Sequence, residues 1–146
     1  MTKNRKELKN LSIAILLFVL IDVIMIIINL CTDGMPQISE IPEGFTEGMV
    51  KAASIVTLIL TFAVFIPQIY VGAKGIKAAN GTAHGRAHIV WAVILAIFAG
   101  ISVISNISNL TKVTTVDNAL NLAIAAADLM LFALFFVYAR KVAKEQ

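Results

Sequence analysis

Charge is scarce in this 146-residue sequence: 14% of its residues are Asp, Glu, Lys or Arg, against about 25% in soluble domains. Hydrophobic residues reach 59% and the mean hydropathy is +0.88, which excludes a soluble globular chain and a disordered one. A single cysteine, Cys31, excludes an internal disulfide framework and the thiol pair that a quinone-linked oxidoreductase of four-helix type needs. His84 and His88 are the two histidines. Four apart, they can share a helix face, but no further His or Cys completes a metal or haem site, so no metal and no other cofactor is expected. G-x-S-x-G, H-E-x-x-H and a phosphate-cradling Gly-Lys motif are all missing, so the chain is expected not to be an enzyme.

What is present in quantity is long apolar sequence. Four runs, residues 11–30, 52–71, 89–110 and 119–139, each hold about the 20 residues that a helix needs to cross about 30 Å of hydrocarbon. With no water there to satisfy backbone groups, such runs span as helices. The expected fold is all-α: a polytopic membrane protein whose four transmembrane helices form an up-and-down antiparallel bundle, one domain over residues 1–146. An outer loop spans 31–50 and an inner loop 72–88. Pro36, Pro42, Gly34, Gly44 and Gly48 argue against a regular element in the first. Gly72, Gly75, Gly81 and Gly85 are expected to loosen the second. Pro67 is expected to bend the second helix. The first run is too long for a secretory signal and lacks the small residues of a cleavage site.

The net charge of +3 does not indicate nucleic acid, because the basic residues punctuate the apolar runs. Ten of the twelve lie at the N-terminus (Lys3, Arg5, Lys6, Lys9), in the inner loop (Lys74, Lys77, Arg86) and at the C-terminus (Arg140, Lys141, Lys144). By the positive-inside bias both termini are cytoplasmic, in the cell membrane, and the loop with Asp33, Glu40, Glu43 and Glu47 is outside. The inner-loop cations and the histidines read as lipid headgroup contacts. Trp91, Tyr70 and Tyr138 belong to an aromatic belt at the same end.

Two carboxylates interrupt the apolar runs. Asp22 falls about 16 Å from the cytoplasmic end of the first helix and Asp128 about 14 Å from the outer end of the fourth, at 1.5 Å per residue. Each costs on the order of 2.5 to 3.5 kcal/mol at the helix centre, and no Lys or Arg lies at that depth. Such a group is protonated, shares a proton, reaches water or holds a cation.

Helical spacing gathers other polar residues with them: Asn29 seven after Asp22, Asn121 seven before Asp128, Ser102, Asn106 and Asn109 on the third helix, and Thr57 and Thr61 with Ser54 and Gln68 on the second. The leading reading is a proton or small-cation channel or transporter. Asp22 and Asp128 are its binding or relay groups, and Asn29, Ser102, Asn106, Asn109, Asn121, Thr57 and Thr61 its polar pathway, probed by Asp-to-Asn exchange. The alternative is a non-transporting, tetraspan-like accessory or scaffold protein in which these residues serve as interhelical hydrogen-bond glue. Ala92, Ala96 and Gly100, and Ala119, Ala123 and Ala127, follow small-xxx-small spacing for close helix pairing or a homo-oligomer contact. The expected partners are the lipid bilayer, further copies of the chain and a larger membrane protein. In helix count and length the chain resembles small bacterial four-helix membrane proteins, a likeness that carries no function over.

Overall fold

The computed structural model describes residues 2–32, 44, 46–83, 85–112 and 115–145. Among the described residues every regular element is helical: α1 (Lys3–Thr32), α2 (Glu47–Ala79), α3 (Ala87–Lys112) and α4 (Val116–Lys144). All four are long and apolar enough to cross a membrane. The chain is thus an all-α polytopic membrane protein, as the apolar runs imply.

Three helices begin on a threonine. Thr115 Oγ1 accepts from the Asn118 amide at 3.2 Å, Thr46 Oγ1 from Met49 at 3.3 Å and Thr2 Oγ1 from Arg5 at 3.4 Å, each satisfying one of the amides that a helix start leaves open. α2 stops at a glycine. Gly81, at φ +78°, donates to the Ala78 carbonyl at 3.0 Å, while the Thr82 amide reaches Lys77 O at 2.9 Å, the two bonds of a Schellman turn.

The helices outrun the apolar runs, which corrects the loop boundaries. α2 continues to Ala79, so Gly72 and Gly75 are buried helix residues and not part of a loose loop. They let α1 approach. A Cβ on Gly72 would lie 2.7 Å from Leu16 Cγ and one on Gly75 2.5 Å from Phe135 Cε2. Residues 80–86 remain between α2 and α3. On the other side, Cys31 and Thr32 finish α1, and α2 starts at Glu47, whose carboxylate meets Lys51 at 2.7 Å. Asp33, Glu40 and Glu43 fall outside the described residues.

The chain divides into two compact units, one of Met1–Leu16 with Pro67–Gln146, the other of Leu17–Ile66. The division falls beside Pro67, inside α2, where the ring removes the amide that would donate to the Ala63 carbonyl. In the first unit α1, α2, α3 and α4 bury Leu8, Ile15, Val71, Leu95, Phe135 and Val142 in one core. Ser12, Gly72, Gly75, Ala78 and Ala92 are buried there too and keep the backbones close. α3 and α4 pack along one another; Ala92 is buried and Ala96 half-buried on α3, but Ala119, Ala123 and Ala127 on α4 are exposed. The seam of α4 is instead Ala125, Phe132, Phe135, Ala139 and Val142. In the second unit Phe62 and Phe65 stack edge to face at 6.1 Å, and Val19 and Phe65 are buried.

Candidate functional site

The polar residues singled out by spacing sit in register with buried residues of their own helices. On α1 the positions Leu8, Ser12, Ile15 and Val19 are buried, and Asp22 and Asn29 follow on the same face at 3.5-residue spacing. Along that face Asp22 is half-buried and Asn29 exposed. α4, read backwards from Val142, Ala139, Phe135 and Phe132, arrives at a half-buried Asp128 and an exposed Asn121. On α3 the sequence His88, Ala92, Leu95, Ala99 leads to Ser102, Asn106 and Asn109, of which Asn106 is half-buried and the others exposed. α2 runs from Ala78, Gly75 and Val71 through a half-buried Gln68 to exposed Thr61 and Thr57 and half-buried Ser54.

Each helix therefore carries one stripe that is apolar or small toward the end bearing the termini and polar toward the other. Most positions in the polar half are less buried than those in the other, Phe65 and Ala125 excepted. Lipid is the wrong neighbour for that polar half.

Local hydrogen bonds link some of these groups. Thr61 Oγ1 donates to Thr57 O and Thr57 Oγ1 to Ala53 O, both at 2.9 Å. Ser54 Oγ reaches Val50 O at 3.1 Å. Asn106 Nδ2 donates to Ser102 O at 2.9 Å and to Ser102 Oγ at 3.3 Å, bringing that predicted pair together. Such back-bonding is how hydroxyls and amides are held on a helix surrounded by hydrocarbon. Asp22 belongs to the second unit and Asp128 to the first, each placed by its own helix.

Two features at the end bearing the termini were not legible from composition. His88 is 5% exposed and its ring meets Phe135 edge-on, centroids 6.4 Å apart, which corrects its reading as a headgroup contact; its heptad register with Ala92 and Leu95 was the available signal. His84 is outside the described residues. The second is a clasp. Glu145 accepts from Asn4 Nδ2 at 2.6 Å and Thr2 Oγ1 at 2.8 Å, with Arg5 Nε at 3.9 Å. The Asn4 and Thr2 hydrogen bonds, then the Arg5 charge, hold this carboxyl below the usual glutamate range. Tyr70 and Tyr138 each carry a lysine over the ring, Lys74 at 6.0 Å and Lys141 at 5.1 Å, as amphipathic belt residues do.

Set against protein-family models, curated proteins and solved structures, the chain matches none of them. The site's chemistry therefore rests on its residues, and the class that fold and residues define is a small multi-pass membrane protein.

Proposed function

We propose that this membrane protein passes protons or small cations, as a homo-oligomer in the cell membrane with both termini cytoplasmic. Asp22 and Asp128 are the binding or relay groups, and Asn29, Ser102, Asn106, Asn109, Asn121, Thr57 and Thr61 hydrate the path. One observation carries the reading: on every helix the stripe that is packed at one end carries polar residues toward the other, with a half-buried carboxylate between the two halves on α1 and α4. A carboxylate facing hydrocarbon carries the full insertion penalty, about 2.5 to 3.5 kcal/mol. For Asp22, water or a second copy of the chain relieves it. The apolar half of each stripe is then the barrier, and the positive-inside bias supports the orientation. Beyond moving ions, no catalytic role is proposed.

The test is flux into liposomes under an imposed gradient and voltage. Wild type is expected to pass protons, sodium or potassium, and Asp22→Asn or Asp128→Asn to abolish this while folding is kept. Thermal stability of the Asn variants should hold or rise, because an amide has no charge to bury. Folded wild type that passes none of the three ions would overturn the reading. The accessory or scaffold alternative is favoured by one observation, the donation of Ser54, Thr57, Thr61 and Asn106 to carbonyls of their own helices, which satisfies them without water. It requires that no variant conducts.

A further inference from the structure

We propose that the end of the first unit bearing the termini holds a binding site for one anionic phospholipid, in the groove between the start of α3 and the end of α4. The groove, about 410 Å³, has Ile89, Val90 and Phe136 as its apolar wall and Arg86, Arg140 and Lys144 as its cations. Among the described residues, none that lines it is acidic. The ion pairs of Arg5 with Glu145 and of Lys51 with Glu47 engage none of these three cations.

A wall of this kind fits an acyl chain, and three cations without a counter-charge at one end of it fit a phosphate that enters with that chain. A free inorganic anion would leave the apolar wall unused, and a neutral lipid would leave the cations unanswered. Arg86 also lines a second cavity of about 230 Å³ beside His88, Ala139 and Val142. His88, 5% exposed, lines this cavity. The phosphate therefore sits at Arg86, the residue common to both spaces. Tyr70 and Tyr138, with their lysines, mark the same end as interfacial, the depth at which a lipid phosphate resides.

The full chain in a neutral detergent is titrated with phosphatidylglycerol, phosphatidylcholine or inorganic phosphate while its thermal unfolding is followed. Phosphatidylglycerol is expected to raise the midpoint saturably, with an apparent affinity at least about tenfold above phosphatidylcholine, since each juxtamembrane cation is worth about fivefold. A triple variant with Arg86, Arg140 and Lys144 each changed to Gln should lose the preference. A control with Lys3, Lys6 and Lys77 changed to Gln, all exposed cations at the same end, should keep it. If the triple variant does not fold, native mass spectrometry of wild type in an equal mixture of the two lipids decides, with one retained phosphatidylglycerol expected. Equal retention of both lipids, an equal shift by inorganic phosphate, or loss of the preference in the control would each overturn the site. The outcome is independent of whether ions are conducted.

Discussion

One added methyl group at Gly75 would meet Ser12 Oγ and the Phe135 ring, whose nearest atom is 2.5 Å away. Phe135 and Ser12 are both fully buried and have nowhere to move. Gly75→Ala gains about 1 kcal/mol of helix propensity and loses about 1 to 3 kcal/mol to overpacking, so thermal unfolding should show net destabilisation. At Gly72 the nearest atoms belong to the branched end of Leu16, which can rotate, and Gly72→Ala should be the milder of the two; equal losses would argue against the rigid contact. Glu145 supplies a pH test of another kind. Its carboxyl is held below the usual range by Asn4, Thr2 and Arg5, so the clasp stabilises the fold above the ordinary glutamate value, about 4.3, and is lost as pH falls through the lower folded-state value. Hydrogen exchange in the first turn of α1 and the last turn of α4, relative to intrinsic rates, should rise across that acidic window. Glu145→Gln should show the faster exchange already at neutral pH, and protection identical to wild type would remove the clasp from the account.

The helix ends depend on single residues whose sequence signals differ in strength. Gly81 holds a positive φ at the close of α2, so Gly81→Ala forces a side chain into the left-handed region at a cost of about 1 to 2 kcal/mol. Thr115→Ala removes the cap of α4 and should cost about 1 kcal/mol, measured in the same unfolding assay. An unchanged midpoint in both would show that tertiary packing alone fixes these ends. The four spans were legible because lipid contact demands apolar length, and that is what hydropathy registers. The extensions were not. Lys3–Asn10, Gly72–Ala79 and Arg140–Lys144 are rich in charge or glycine and do not register as apolar span, yet Leu8, Ala78, Ala79 and Val142 among them are buried while most of their lysines and arginines are exposed. The stripes holding Asp22, Asp128 and the Asn residues were legible from spacing, since heptad register is a property of the helix itself. Their continuity with buried positions, His88 included, was not, because it depends on which face a neighbour covers.

For the molecule as a whole, the first unit brings the two ends of the described chain together through the Thr2, Asn4 and Glu145 contacts. With the basic residues at that end, a membrane-impermeant thiol reagent should label Cys31, exposed at the far end of α1, in intact cells. Labelling only after permeabilisation would reverse the proposed orientation. The clasp has a consequence for assembly. Thr2 and Glu145 are 143 residues apart in sequence, and Leu8 and Ile15 share a core with Phe135 and Val142. During translation α1 therefore enters the bilayer long before its packing partners on α4 exist, and its small and polar faces stay open until the ribosome has delivered the last of the four helices. Closure of this core therefore waits for α4, and until then the nascent first helix is a natural client for whatever holds unpaired helices in the membrane.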